Sequence, residues 1–265
     1  RRRARGADGL LLGPARGGRR RAMTEIDVRQ KVLAANAAAA EALREGFLAA
    51  GTLVVNLISS PGSGKTTLLE ATARALKERL RLGALDGDIA TERDAERLRL
   101  SGIPARQILT GGACHLDARQ VQKALAEEGG LLSGLDLLFI ENVGNLICPT
   151  SYDLGEDFKI ALLSVVEGDD KPFKYPAIFS RAAVTLITKS DLLPHVDFDL
   201  RAVRGQVAAL NPSGRFLVAS ARSGEGMDSW FALLEEEIGR KREALAPDGA
   251  GRERIGPKSG GPANW

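Results

Sequence analysis

Apolar residues fall into two kinds of stretch along this chain. Leu53-Val54-Val55-Asn56-Leu57-Ile58 is a short, partly β-branched run that ends in Ser-Ser-Pro-Gly, which predicts a buried strand running into a loop. Similar runs predict strands over residues 82–86, 135–141, 160–167, 183–188 and 215–220. The second kind is longer, with Ala, Leu and Val recurring among Glu, Arg and Lys. These stretches predict helices over 27–48, 66–80, 117–128, 200–210 and 229–242. Strands separated by helices require parallel crossovers, so the pattern implies an α/β fold: a doubly wound, mainly parallel sheet with helices on both faces.

Composition changes this picture little. The chain has 265 residues, 44% hydrophobic and 27% charged, as expected of a globular protein with ample length for a core. No run of 18 apolar residues occurs, so no membrane span is expected. The formal charge of +3 is unevenly placed: residues 1–22 hold eight Arg and one Asp, an excess of +7, which leaves −4 on the remainder. A nucleic-acid-binding face is therefore not implied by the body of the chain. The stretch before Met23 reads as an upstream extension or a misplaced start, and beyond Ala246 the chain is mostly Gly, Pro, Arg and Lys. Two cysteines, Cys114 and Cys148, do not make a disulfide scaffold and fit a reducing, cytoplasmic setting.

Ser60-Pro61-Gly62-Ser63-Gly64-Lys65-Thr66 stands between a predicted strand and a predicted helix, the context that makes such a string a phosphate site. Glycines let successive backbone N–H groups converge on phosphate oxygens at a helix N-terminus. Lys65 then reaches the β- and γ-phosphates, Thr66 offers its hydroxyl to Mg²⁺, and Gly62, Ser63, Gly64 and Thr67 line the same cradle. Ser59 stands where the general pattern has Gly. The ordinary alternative is a Gly-rich turn with Lys65 in solvent.

Thr188-Lys189-Ser190-Asp191 follows another predicted strand and matches the guanine-reading element usually written Asn-Lys-x-Asp. A carboxylate at Asp191 accepts from guanine N1–H and the 2-amino group, which adenine cannot match. Lys189 would lay its stem along the base, and Thr188 in place of Asn removes one side-chain amide bracing the loop. Ser220-Ala221-Arg222 supplies a further candidate, with the Ala221 N–H facing guanine O6. Taken singly each string is also an ordinary strand-to-helix loop; in this order they favour GTP over ATP. Glu141-Asn142-Val143-Gly144 ends a strand where P-loop enzymes place a Mg²⁺ carboxylate, and Asp88 is a second candidate, outer-sphere to the ion. No glutamine is evident to orient an attacking water, so intrinsic hydrolysis is expected to be slow.

Cys114 and His115 are adjacent, and Cys148 lies just past the Glu141 element. Thiolate and imidazole suit a soft or borderline ion, and three ligands are one short of a closed tetrahedral site. Two unrelated thiols and a surface histidine fit the spacing equally well.

The run Gly-Asp-Ile-Ala-Thr-Glu-Arg-Asp from Gly87, Gln107-Ile108-Leu109-Thr110-Gly111, Cys-His-Leu-Asp-Ala from Cys114, Glu-Asn-Val-Gly-Asn-Leu-Ile-Cys-Pro from Glu141, Asp170-Lys171-Pro172-Phe173-Lys174-Tyr175-Pro176 and Ser-Ala-Arg-Ser-Gly-Glu-Gly-Met from Ser220 together resemble the HypB family of nickel-incorporation GTPases of [NiFe]-hydrogenase maturation. The resemblance covers roughly residues 27–240, and Ser59 belongs to that family's own phosphate-loop pattern. It implies a SIMIBI-class P-loop GTPase fold, GTP-promoted homodimerisation, and a Ni²⁺ or Zn²⁺ site on Cys114, His115 and Cys148. It also implies a HypA-type nickel metallochaperone and a hydrogenase large-subunit precursor as partners. The urease-type maturation GTPase, with Cys-Pro-His at this point, and a P-loop kinase acting on a small acceptor are the alternatives. The expected organisation is a disordered Arg-rich extension (1–22), an N-terminal helix (23–50), a GTPase domain (51–243) and a disordered tail (244–265).

Overall fold

The computed structural model describes residues 25–88, 93–127, 129–130 and 133–245, without the side chains of 25–31 and of Asp88. The extension 1–22 and residues 246–265 lie outside the described residues. Among the described residues seven strands form one sheet: β1 (Leu53–Ser59), β2 (Leu82–Asp88), β3 (Ala105–Leu109), β4 (Leu137–Glu141), β5 (Phe158–Ser164), β6 (Val184–Thr188) and β7 (Arg215–Val218). Their order is β3-β2-β4-β1-β5-β6-β7, and every pairing is parallel. The helices are α1 (Glu25–Ala50), α2 (Lys65–Leu76), α3 (Arg93–Leu100), α4 (Ala118–Glu127), α5 (Lys171–Lys174), α6 (Pro176–Arg181), α7 (Leu200–Leu210) and α8 (Met227–Leu245).

Alternate residues of each strand bury on opposite faces. On one face Leu53, Val55 and Leu57 of β1 and Leu137 and Phe139 of β4 pack with α2, α3 and α8, where Trp230 is fully buried and its Nε1–H donates to Thr72 Oγ1 at 2.9 Å. On the other, Val54, Leu85, Leu138 and Ile140 meet α1 and α4, while Ile58, Leu163 and Ile187 meet α6 and α7. Both faces are covered, hence the near-continuous apolar strands. All strands being parallel, their C-terminal ends lie along one edge. The chain leaves β1 first toward β2 and later toward β5, so the crevice of a doubly wound sheet opens at the end of β1.

The sequence reading misses α3 and β3. Arg-Asp-Ala-Glu-Arg-Leu-Arg-Leu buries only Ala95 and Leu98, and Ala-Arg-Gln-Ile-Leu is a short edge strand with one side in partial contact with water, so neither has a strong apolar pattern. The strand expected over 160–167 ends at Ser164. Ser164 and Glu167 then form a capping box that turns Val165–Glu167 into a 3₁₀ turn. Helix α8 reaches Leu245, two residues into the segment assigned to the tail.

Candidate functional site

Positive φ at Gly62 (74°) and Gly64 (95°) turns the chain from β1 into α2, a conformation that side chains with a Cβ disfavour. Ser59, fully buried at the end of β1, organises the loop. Its Oγ donates to the Ser60 carbonyl at 2.8 Å and accepts from Lys65 Nζ at 2.8 Å and from the Ser63 hydroxyl. One proton given and two lone pairs filled is the full capacity of a hydroxyl. Glycine there would leave the Lys65 ammonium without this tether, which gives the departure from the general pattern its physical reason.

The base-reading strings come together around a cavity of about 270 Å³ lined by Ser63, Gly64, Thr67, Lys189, Asp191 and Ala221, among others. Ser220, fully buried, donates its hydroxyl to Asp191 Oδ1 at 2.6 Å and accepts from the Ser223 N–H at 3.1 Å, so the two candidate elements are physically joined. Lys189 holds a left-handed backbone (φ 58°), and its Nζ donates to the Gly62 carbonyl at 2.7 Å. Its stem therefore crosses the phosphate loop. Thr188, which stands where an amide is usual, donates its hydroxyl to the Ser63 carbonyl at 2.7 Å, so a hydroxyl braces the loop in place of the missing amide.

Glu141 ends β4 beside this loop and accepts from the Thr66 hydroxyl at 3.1 Å. Among the described residues, its second oxygen is buried without a hydrogen-bond partner. Burial pushes this carboxyl up to about 8; Lys65 opposes the shift, and Asp86 and Asp94 add to it. Asp86, 2% exposed, is the residue of β2 paired in register with Glu141. Sequence reasoning missed Asp86, whose position inside a strand hid that register places it beside Glu141. Asp88 ends β2, and its side chain lies outside the described residues. The Thr66 and carboxylate oxygens are hard donors, and a buried carboxylate oxygen lacking a partner fits a small divalent cation such as Mg²⁺.

Cys114, His115 and Cys148 meet at one place, with one candidate ligand atom from each lying within 4.8 Å of the others. Consecutive left-handed glycines, Gly111 and Gly112, present the first pair, while buried Leu116 anchors the loop against Gly87, where a methyl would come within 2.8 Å of the leucine. Asn145 ties the loops together, donating to the Cys114 carbonyl at 3.2 Å and accepting from the Ile147 N–H at 2.9 Å. The Cys114 thiol is pushed up, first by its hydrogen bond with Cys148 and then by burial. Burial lowers His115, which keeps the imidazole neutral, the form that ligates metal.

This cluster is linked to the nucleotide side. Gly144 packs on the phosphate loop so closely that a methyl would lie 2.8 Å from Pro61 Cγ. Asn142, 1% exposed, accepts from the Leu116 N–H at 3.3 Å and donates to Asn56 Oδ1 on β1 at 3.2 Å.

A phosphate-loop string on the central strand of a parallel, doubly wound sheet, with a cavity at the ends of β6 and β7, defines the class of P-loop nucleotide-binding proteins. The family model for the CobW/HypB/UreG nucleotide-binding domain matches residues 53–218. Hydrogenase maturation factor HypB of Azotobacter chroococcum is 48% identical over 219 residues, 83% of this chain and 71% of that protein. Hydrogenase/urease maturation factor HypB of Helicobacter pylori (strain J99) is 41% identical over 221 residues, 83% and 89%. The crystal structure of HypB from Helicobacter pylori in complex with nickel superposes with a TM-score of 0.73 at 40% identity, covering 77% of this chain and 95% of that one. The chain belongs to the CobW/HypB/UreG family and, within it, to the HypB hydrogenase maturation factors. Among the described residues no helix is long and apolar enough to cross a membrane.

Proposed function

We propose that this chain hydrolyses GTP to GDP and phosphate and couples that cycle to nickel insertion during [NiFe]-hydrogenase maturation, from a GTPase domain spanning 51–243. The observation that carries the proposal is the convergence of Cys114, His115 and Cys148 at the sheet edge that bears the phosphate loop. In this reading Gly62 to Thr67 cradle the phosphates, with Lys65 leaving Ser59 for the β- and γ-oxygens. Asp191, positioned by Ser220, accepts from guanine N1–H and the 2-amino group; Lys189 covers the base, and the Ala221 N–H meets O6. Thr66 and Glu141 would hold Mg²⁺ beside Asp86, with Asp88 as a switch carboxylate; bound there, the ion supplies charge neutralisation for phosphoryl transfer.

Nickel, or zinc in its place, is the cargo, held by the two thiolates and the neutral imidazole. One turn carries both functions: Glu141 at its start faces the phosphates, Gly144 touches Pro61, and Cys148 at its end is a metal ligand. Loss of the γ-phosphate relaxes that turn and changes the spacing of the ligands. GTP-promoted pairing of two copies, with a HypA-type metallochaperone and a hydrogenase large-subunit precursor as partners, completes the reading.

Calorimetric titration of nickel and zinc into the GDP-bound and GTP-analogue-bound protein tests it, with turnover of GTP and ATP and the association state followed in parallel. The expected result is guanosine preference, turnover without an added acceptor, and a nickel affinity that differs between nucleotide states. Equal affinities in the two states remove the coupling.

A further inference from the structure

Helix α1 packs on the sheet face beside α4, and one of its side chains bonds to the segments that follow both metal-bearing loops. Asn36 is 4% exposed; its Oδ1 accepts from the Ala118 N–H at 2.8 Å, and its Nδ2 donates to the Asp153 carbonyl at 2.8 Å. Ala118 lies three residues past His115 and opens α4. Asp117 and Gln120 cap that helix reciprocally, each accepting the other's backbone N–H at 2.8–2.9 Å, which leaves the Ala118 N–H for Asn36. Asp153 follows the turn Cys148–Ser151 and adjoins Tyr152, whose ring lies against His115 with centroids 3.8 Å apart. The segment is held to α1 at two further points. Arg44 pairs with the Asp153 carboxylate at 2.6 Å, and Gly155 (φ 80°) packs so tightly that a methyl would come within 2.7 Å of Leu43 Cβ and 2.8 Å of the Ala40 carbonyl.

We infer that Asn36 is a positioning residue for the Cys114, His115 and Cys148 site: its buried carboxamide joins the segments that follow the two ligand-bearing loops and so helps set their spacing. The inference rests on the reading of those three residues as a metal site. Only a carboxamide places one acceptor and a pair of donors on one planar group, so it satisfies an N–H on the first loop and a C=O on the second at once. Aspartate retains the acceptor but loses the donor, and leucine loses both. Because Asn36 sits on the face of the sheet opposite α2, its effect on the metal loops separates from nucleotide binding.

The test compares the full chain with Asn36→Asp and Asn36→Leu. Nickel affinity is read by competition with a chelating dye, and ligand geometry by the thiolate-to-nickel charge-transfer absorption. Affinity for a fluorescent GTP analogue is measured on the same samples. Nickel affinity is expected to fall roughly tenfold in Asn36→Leu, with a changed absorption band, the low end of the loss seen when the support around metal ligands is disturbed. Asn36→Asp falls between that variant and the parent, and nucleotide affinity stays within about twofold. Parent-like nickel affinity and absorption in folded Asn36→Leu overturn the inference, as does an equal loss of nickel and nucleotide affinity. Should Asn36→Leu not fold, the same criteria apply to Asn36→Asp. Cys148→Ser is the control: nickel binding indifferent to it fails the metal-site reading itself, whereas sensitivity to Cys148→Ser with indifference at Asn36 fails this inference alone.

Discussion

Around the cavity at the ends of β6 and β7 the side chains are braced locally: Ser220 on Asp191, Thr188 on the Ser63 carbonyl, Lys189 on the Gly62 carbonyl. At the thiol–imidazole cluster the bracing runs between loops and elements, through Asn145 and Asn142 of the turn that carries Cys148 and through Asn36 from α1. The pocket is thus held on strand ends, while the cluster sits on two loops held together by contacts with each other and with α1. Under the proposed function, such an arrangement suits a pocket that reads a base and a metal site whose geometry changes with the nucleotide.

The largest test of this contrast is Lys65→Ala. It removes the cation facing the phosphates and is expected to weaken GTP-analogue binding on the order of 1,000-fold, as for a lost partner of a buried charge. Nickel affinity of the nucleotide-free protein should stay within about twofold. A parallel fall in nickel affinity, measured by chelator competition, would break the separation of the two sites.

Cys148→Ser is the mirror case. Nickel affinity should drop roughly 100-fold, the upper range for disturbed metal sites, with nucleotide affinity in nickel-free buffer unchanged.

Next in size is the pH dependence of Glu141. Its carboxyl is raised from 4.5 to about 8 in the folded chain, chiefly by burial, so between those values the folded state keeps a proton that the unfolded state has released. That contribution to stability is complete below about 4.5 and is lost as the pH rises through about 8. Without nucleotide or magnesium, the melting temperature should therefore decline from pH 5 to 8, and Glu141→Gln should flatten the decline by roughly 5 °C. Indistinguishable slopes for parent and variant would show that Glu141 is ionised throughout.

The smallest effect is expected for Thr188→Ala, which deletes one brace on the phosphate loop. About 1 kcal/mol, or a fivefold loss of GTP-analogue affinity, is the scale of such a bond. An unchanged affinity would mean that the loop holds its shape without Thr188.

How legible each feature was follows from how locally it is encoded. The phosphate loop, Lys189 to Asp191 and Ser220-Ala221 are contiguous strings at strand ends, where positive-φ glycines and buried apolar runs leave one backbone path. The order of these strings along the chain was enough to arrange them on one edge. Segment α3–β3 was invisible because an edge strand and a charged helix bury too little to impose a period. Asp86 was missed because its meaning comes from parallel register with Glu141. Thr188 was judged by what it lacks in its own loop, while its hydroxyl acts on a residue 125 positions away.

The sequence by itself determined the doubly wound sheet and the strand-end loops that carry Lys65 and Asp191, because alternation, turn chemistry and strand-end placement act over a few residues. Only the tertiary structure decided that Cys114 and His115 meet Cys148, that Asp86 faces Glu141 and that Asn36 spans two loops. Those contacts depend on strand register and on which helix covers which face, and both are set by the packing of the whole core.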